Sequence, residues 1–184
     1  LILGGGRANT FLFAQGIQIG ASLAEPNMVA KARAIMAKAD ANGCRIILPT
    51  DLVVATAFAA NASYRVTGGH DIADDEMILD AGPQSVASVT AFLRECQTIV
   101  WNGPMGAFEL KPFDAATNAV ARAVARLTQD QQVMSVAGGG DTMAALANAG
   151  VNDHFSYVST AGGAFLEWLE GKTLPGVDAL QQRQ

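Results

Sequence analysis

The chain has 184 residues, a formal net charge of −5 and hydrophobic residues at half of its positions. This length predicts one domain, because domains hold roughly 100–200 residues, and a chain of this size buries a core without a disulfide or a metal. Only 16% of the residues are charged and the mean hydropathy is +0.22, which excludes a disordered chain. The 12 Lys and Arg residues form no dense cluster, so no nucleic-acid partner is expected.

The sequence carries no membrane or export signal. Polar residues and glycines interrupt the longest uncharged stretch, residues 8–24, and no basic segment with a cleavage site is present.

Cys44 and Cys96 form no CxxC pair, so we expect two buried thiols in a reducing compartment. The chain opens on Leu1-Ile2-Leu3 without Met, and this apolar triplet before three glycines is typical of a buried strand. We therefore expect a fragment of a longer protein.

One pattern recurs along the chain: a short apolar run meets a glycine-rich loop, and a helical periodicity follows. Repeated alternation of strand and helix predicts an α/β fold with a mostly parallel sheet. In the first junction the strand, loop and helix are residues 1–3, 4–6 and 8–15, and in the second they are residues 98–101, 102–106 and 113–127. In the third junction they are residues 133–137, 138–141 and 142–149, and in the fourth they are residues 155–159, 160–163 and 165–170.

The residues between these junctions predict further elements. Helical periodicity begins at Pro26 and stops at Gly43. The acidic segment 70–76 predicts a solvated surface loop. Apolar runs predict a buried strand over 45–48, extended segments over 52–55, 64–67 and 77–79, and a helix that presents Val86, Val89, Phe92 and Leu93 to the core.

The glycine loops predict a phosphate-binding edge of the sheet. Helix N-termini at the carboxyl ends of parallel strands present free N–H groups and a partial positive charge. A tight turn is the better explanation of any single glycine loop, but four such loops on one edge favour phosphate binding. Neither Gly4-x-Gly6 nor Gly138-x-Gly140 completes a GxGxxG motif, and Gly171-Lys172-Thr173 lacks the first glycine of a P-loop. A dinucleotide-dependent dehydrogenase and a Walker NTPase are therefore disfavoured.

Asp141, next to three glycines, has two interpretations. Its carboxylate caps the helix that follows, or it holds Mg²⁺ together with phosphate oxygens, because a bare carboxylate would repel a phosphate. In the second case Thr142 offers its hydroxyl and the first N–H groups of the helix to the phosphate. His70 and His154 are the only histidines and lie far apart in sequence, so neither is expected to bind a metal or act as a base.

Five segments follow one another along the chain: Gly4-Gly5-Gly6-x-Ala8-x-Thr10-Phe11, Trp101-Asn102-Gly103-Pro104-x-Gly106-x-Phe108-Glu109, Gly138-Gly139-Gly140-Asp141-Thr142, Val158-Ser159-Thr160-x-Gly162-Gly163-Ala164, and Leu169-Glu170-Gly171-Lys172-x-Leu174-Pro175-Gly176-Val177. In this order they closely resemble the phosphoglycerate kinase family. The resemblance implies a Rossmann-like three-layer domain, with a mostly parallel sheet and helices on both faces. It also implies that residues 1–172 are the nucleotide-binding C-terminal domain of that family, and that residues 173–184 form a tail that packs on an N-terminal domain.

The resemblance implies an enzyme that transfers a phosphoryl group reversibly between 1,3-bisphosphoglycerate and ADP, which gives 3-phosphoglycerate and ATP in glycolysis. Such a kinase uses Mg²⁺ with ADP or ATP, works in the cytoplasm, and is expected to be a monomer without a membrane or nucleic-acid partner. The triose-binding N-terminal domain of the family, and the lysine-bearing segment ahead of the first glycine loop, are not among these residues. We therefore expect the chain to be inactive alone.

The site residues of the family carry over to matching positions of this sequence. Ala161 departs from the pattern, because the family usually has a glycine there. The implied roles are adenine contact for Gly6 and Gly82, a nucleotide-lining loop for Asn102, Gly103, Met105 and Phe108, ribose binding for Glu109, phosphate binding for Gly139, Gly140 and Thr142, Mg²⁺ binding for Asp141, and catalysis at the transferring phosphoryl for Gly140, Gly162 and Gly163.

Two alternatives stay open at this point: a non-catalytic module that binds adenine nucleotide, and a purely structural α/β domain. Asp141 and Glu109 do not separate the kinase from the binding module, because binding alone uses both acids. A purely structural domain would leave both acids without partners. A basic N-terminal domain encoded upstream would favour the enzyme.

Overall fold

The computed structural model describes residues 1–159 and 162–181, with two short 3-10 helices at Pro26–Met28 and Asn152–His154. Within those ranges no helix is both long and apolar enough to cross a membrane. The regular elements, in chain order, are α1 (Gly5–Ala14), α2 (Val29–Ala41), β1 (Leu52–Ala55), β2 (Tyr64–Thr67), β3 (Met77–Ala81), α3 (Pro83–Leu93), β4 (Thr98–Trp101), α4 (Ala115–Gln129), β5 (Met134–Gly138), α5 (Gly140–Ala149), β6 (Tyr157–Ser159), α6 (Gly162–Leu169) and α7 (Pro175–Gln181).

Strands β4, β5 and β6 form a parallel sheet in this order, so the predicted α/β fold with a parallel sheet is confirmed. Trp101 pairs with Ala137, and Gly138 pairs with Ser159, which places the carboxyl ends of all three strands at one edge. Helix α4 connects β4 to β5, and α5 connects β5 to β6, as parallel pairing requires. The glycine-rich loops leave the sheet at this edge.

A further parallel pairing joins the start of the chain to the segment that precedes β1. Ile2 forms a bridge with Ile47, and the amide of Leu3 donates to the Ile47 carbonyl at 3.1 Å. The buried strand predicted over 45–48 is reduced to this single bridge, and Arg45 is exposed. The prediction of a full strand is therefore wrong here.

A second sheet differs from the expected pattern, because its strands are antiparallel. Its order is β2-β1-β3, with Val53 of β1 opposite Val66 on one side and Asp80 on the other. The connection from β1 to β2, residues 56–63, contains no helix, and a parallel crossover needs about a dozen or more residues. This short connection therefore requires β1 and β2 to pair antiparallel. Residues 68–76 cross over β1 and lead into β3, which runs in the same direction as β2 on the other side of β1.

The main core lies between the parallel sheet and helices α3, α4 and α5. Val124 of α4 and Leu146 of α5 are fully buried there, and Ile99 of β4 belongs to the same cluster. Burial of one such side chain stabilises the fold by roughly 1.5–3 kcal/mol. Packing of this kind holds the carboxyl edge of the sheet in place.

Helices α4, α5 and α6 all pack against β5, so the parallel sheet is flanked by helices as expected. Side chains alternate between the two faces along each strand. Val100, Met134 and Tyr157 therefore point away from the main core, and they are 46%, 60% and 62% exposed.

The acidic segment 70–76 is less solvated than predicted. Glu76 is only 9% exposed, and its carboxylate accepts hydrogen bonds from Arg65 at 2.6 and 2.8 Å and from the amide of Ala73 at 2.9 Å. These bonds, chiefly the one from Arg65, hold the pKa of Glu76 below its ordinary value. Asp71 also pairs with Arg65, at 3.0 Å. The segment is therefore anchored to β2.

The two cysteines have different surroundings. Cys96 is partly buried and packs against the main core, whereas Cys44 is exposed. The prediction of a buried thiol is therefore wrong for Cys44, which lies in the turn that follows α2. Both thiols are free.

Candidate nucleotide site

The glycine-rich loops lie side by side at the carboxyl edge of the parallel strands. The amide of Gly5 donates to the carbonyl of Met105 at 2.8 Å, which joins the first loop to the loop that follows β4. The side-chain amide of Asn102 donates to the carbonyl of Gly138 at 2.7 Å, which joins this second loop to the end of β5. The loops that we expected to converge are thus in direct contact.

The first residue of α6, Gly162, packs backbone to backbone against the loop after β5. A Cβ built on Gly162 would lie 2.2 Å from the amide nitrogen of Gly139 and 2.6 Å from its Cα, so a side chain has no room there. Gly139 has a φ of +106°, a conformation that other residues rarely adopt. Glycine at both positions brings the N-termini of α5 and α6 together. Gly163 is exposed, whereas Ala161 lies outside the described residues.

The N-terminus of α5 presents its first N–H groups and one acid. Gly139 is the N-cap and no side chain caps this helix, so the carboxylate of Asp141 lies exposed in the first turn without serving as the cap. Among the residues that the structure describes, no three His, Cys, Asp or Glu side chains gather as a metal site. A bound Mg²⁺ would therefore depend on Asp141 and on oxygens of the ligand, which is how Mg²⁺ is commonly held.

The side chain of Thr142 is buried and bonds within the protein, although its sequence context predicts a contact with a ligand. Its side chain is 1% exposed, and its hydroxyl oxygen accepts the N–H of Gly103 at 2.7 Å. This bond links the loop after β4 to the first turn of α5. The hydroxyl keeps its own O–H to donate, so the phosphate contact expected of Thr142 stays a prediction, and Gly140 in the same turn is exposed.

The residues expected to contact a nucleoside divide into buried and exposed groups. Met105 and Phe108 are each 8% exposed, so their side chains support the loop from within. Glu109 is exposed, which leaves its carboxylate facing solvent. Gly6 lies in α1 against Leu23, whose Cδ2 would be 3.1 Å from an added Cβ. Asn102 and Glu109 are therefore the exposed members of this group, and Gly6 is half-buried.

Gly82 is glycine for a structural reason that sequence reasoning missed. A Cβ there would lie 2.2 Å from a carboxylate oxygen of Asp51, which is 4% exposed. Asp51 accepts the backbone N–H groups of Gln84 at 3.0 Å and Ser85 at 2.7 Å, so it caps α3 from a distant part of the chain. The signal in the sequence is a lone acid directly before the apolar run 52–55.

A second buried acid, also missed, lies near the end of β3. Asp80 is 3% exposed, and its carboxylate accepts the N–H groups of Ala81 and Ala116, each at 2.9 Å. Burial raises the pKa of Asp80 to about 7 against the effect of these bonds, and the charge of Asp114 adds to the rise. The sequence signal that could have revealed Asp80 is an acidic residue within an apolar strand.

The burial of Asp80 predicts a pH-dependent stability. Its folded pKa of about 7 lies above the ordinary value of 3.8, so the folded state holds the proton more tightly. The free energy of unfolding should therefore fall as the pH rises from about 4 to about 7, by at most about 1.4 kcal/mol per pH unit. Asp80→Asn should lack this contribution. Urea unfolding of both proteins across that range measures it, and parallel curves would show that Asp80 stays ionised in the fold.

The chain matches proteins of one family over nearly its whole length. A family model described as phosphoglycerate kinase matches residues 1–172. The phosphoglycerate kinases of Rhodospirillum centenum and Xanthobacter flavus are 64% and 61% identical to this chain over 98% and 99% of it. A solved structure of phosphoglycerate kinase from Coxiella burnetii has a TM-score of 0.93 at 45% identity and covers all of this chain.

Together, the sheet and its loops define a Rossmann-like α/β domain whose glycine-rich turns gather at the carboxyl edge of parallel strands. The chain belongs to the phosphoglycerate kinase family. It spans about half the length of the curated relatives it matches, 46% of each of the two named above and 46% of the Coxiella burnetii chain.

Proposed function

We propose that this chain is the half of a phosphoglycerate kinase that binds Mg²⁺ with ADP or ATP. The whole protein would transfer a phosphoryl group between 1,3-bisphosphoglycerate and ADP, which yields 3-phosphoglycerate and ATP. The observation that carries the proposal is the continuous row of loops, in which Gly5 bonds to Met105 and Asn102 bonds to Gly138. The family match over residues 1–172 supports it.

In this proposal the chain positions phosphates and stabilises their charge, which is most of what phosphoryl transfer demands of a protein. The N-terminus of α5 directs the amides of Gly139 and Gly140 at the nucleotide phosphates, and the start of α6 directs those of Gly162 and Gly163 at the transferring group. Bound Mg²⁺ would neutralise part of the phosphate charge. The exposed carboxylate of Asp141 fits the role of its protein ligand.

The proposal extends to the organisation of the whole protein. Residues 1–172 would form the nucleotide-binding domain, and residues 173–184, which include α7, would contact an N-terminal domain that binds 3-phosphoglycerate. The protein would act in the cytoplasm as a monomer, in glycolysis. A purified full-length protein would test the subunit number by light scattering.

The direct test is ATP formation from 1,3-bisphosphoglycerate and ADP, measured with the full-length protein and with the 184-residue chain. We expect turnover by the full-length protein, and ADP binding without turnover by the chain. Appreciable ATP formation by the chain alone would contradict the division of labour between two domains. ADP binding without turnover by the full-length protein would favour the non-catalytic module.

Asp141→Asn is expected to remove the Mg²⁺ enhancement of ADP binding. The variant keeps a neutral oxygen but loses the charge that a cation needs, so affinity in the presence of Mg²⁺ should fall roughly tenfold, or about 1.4 kcal/mol. Metal-free ADP should bind as well as before, because a repulsive carboxylate is gone. Calorimetric titration with Mg²⁺ and with EDTA measures the ADP affinity with and without the metal. Asp153→Asn, at another exposed acid, is the control. An undiminished Mg²⁺ enhancement would show that Asp141 binds no metal.

Glu109→Gln is expected to reduce the preference for ADP over 2′-deoxy-ADP. A hydrogen bond to a charged group contributes roughly 1.5–3 kcal/mol, and the amide keeps one weaker acceptor, so a loss of about 1 kcal/mol in this preference follows. Calorimetry with both nucleotides measures it, with Glu95→Gln at another exposed acid as the control. A preference equal to that of the parent would exclude Glu109 from ribose binding.

A further inference from the structure

The buried carboxylate of Asp80 connects two segments that are far apart in sequence. One oxygen accepts the N–H of Ala81 at 2.9 Å within its own strand, and the other accepts the N–H of Ala116 at 2.9 Å in the first turn of α4. Asp80 thus uses both oxygens, at 3% exposure. The loop between β4 and α4 runs from residue 102 to residue 114, so one end of this loop is attached to β3 through Asp80.

The middle of the same loop also lies against Asp80. A Cβ on Gly106 would lie 2.3 Å from the Asp80 Oδ1 atom, and the neighbouring amide of Ala107 donates to the carbonyl of Leu79 at 2.7 Å. The loop is therefore held at two points, by a side chain and by the backbone beside it. Gly82 follows Asp80 by two residues, so the same anchor sets the position of this loop relative to the start of α3.

We propose that Asp80 is a positioning residue for the nucleoside half of the ligand: it holds the loop of residues 102–114 in register with Gly82. The proposal rests on the proposed function, because Gly82 and the residues from Asn102 to Glu109 are its nucleoside contacts. Asp80 itself is buried, so in this proposal it acts through the loop that it holds. The phosphate half of the site lies on α5 and α6, and the loop bonds to it through Asn102 and Gly103, whereas Asp80 contacts the loop further along, at Gly106, and the start of α4 at Ala116.

This separation predicts a selective loss of affinity. Asp80→Ala removes both acceptors, and Asp80→Asn keeps one oxygen but places the NH2 group of its side-chain amide opposite a backbone N–H group. Adenosine and ADP should bind at least tenfold more weakly to Asp80→Ala and to an intermediate degree to Asp80→Asn. Inorganic tripolyphosphate should bind both variants within about twofold of the parent, because the bonds of Asn102 and Gly103 to the Gly138–Thr142 turn lie at the far end of the loop from the contacts of Asp80. Val133→Ala, a buried site at the opposite edge of the sheet, controls for lost stability.

Calorimetry of the three probes on the parent and on each variant tests the proposal, after circular dichroism has shown that each variant is folded. If Asp80→Ala does not fold, the intermediate loss of adenosine and ADP affinity is measured on Asp80→Asn, because asparagine has the same size as aspartate. Adenosine affinity equal to that of the parent, or equal losses for adenosine and tripolyphosphate, would overturn the positioning role alone. A parent that binds neither ADP nor adenosine would overturn the proposed function, and the role of Asp80 with it.

Discussion

Gly162→Ala is expected to destabilise the protein by about 3 kcal/mol, the upper end of the usual cost of overpacking. The added methyl group would lie 2.2 Å from the amide nitrogen of Gly139 and 2.7 Å from the carbonyl carbon of Gly138, and backbone atoms cannot rotate away. The loop after β5 must therefore shift if the variant folds. Urea unfolding measures the loss, and tripolyphosphate affinity should fall with it because the N-terminus of α5 moves.

Gly163→Ala is a matched control for stability. It lies in the same helical turn, and an added Cβ would meet nothing within 4 Å. Alanine in a helix is favoured over glycine by roughly 0.5–1 kcal/mol, so this variant should be as stable as the parent or slightly more stable. If the two variants had equal stability, the close approach of the loops at Gly162 would be contradicted.

Asp51→Ala is expected to cost about 3 kcal/mol, because it leaves two N–H groups at the start of α3 without an acceptor and removes the carboxylate that the Ser85 hydroxyl contacts. The amides of Gln84 and Ser85 lose their acceptor, and the Ser85 hydroxyl loses a bond of 2.5 Å. Asp51→Asn keeps one acceptor and should cost about half as much. Urea unfolding measures both variants, and Asp40→Ala on the exposed face of α2 should stay within about 0.5 kcal/mol of the parent.

A double-mutant cycle extends this prediction to Gly82. Gly82→Ala alone places a methyl group 2.2 Å from the Asp51 carboxylate and should destabilise the protein strongly. In the Asp51→Ala background the same substitution should cost less, because the carboxylate is gone and the two positions are directly coupled. Strictly additive effects would show that Gly82 and Asp51 do not constrain each other.

The parts of the fold that follow from local pattern were predictable from the sequence. The strand at 98–101 and the junctions that follow β4 and β5 were found because each combines an apolar run with glycines and a 3.6-residue periodicity. At the first junction the helix was found, but the strand predicted over 1–3 is a single bridge at Ile2. The parallel sheet follows from the helices between these strands. Its carboxyl edge, with Gly138 and Gly162 in close contact, follows in turn from that topology.

The features that depend on distant partners were not predictable. Segments 52–55 and 64–67 were recognised as extended, but their antiparallel pairing depends on connections too short for a helix. Glu76 was expected to be solvated, because nothing in its own segment reveals the pairing with Arg65. Asp51 and Asp80 were missed for the same reason: their partners lie more than 30 residues away in sequence.

Amide-resolved NMR during titration with ADP and Mg²⁺ tests most directly whether the row of glycine-rich loops binds adenine nucleotide. Saturable shifts should concentrate in residues 4–6, 102–109, 138–142 and 162–163, and those of residues 139–142 should depend on Mg²⁺. The antiparallel sheet of β1, β2 and β3 should be largely unaffected, apart from the end of β3 next to Gly82. Shifts centred on β1 and β2, or the lack of saturable binding by a folded chain, would contradict the account.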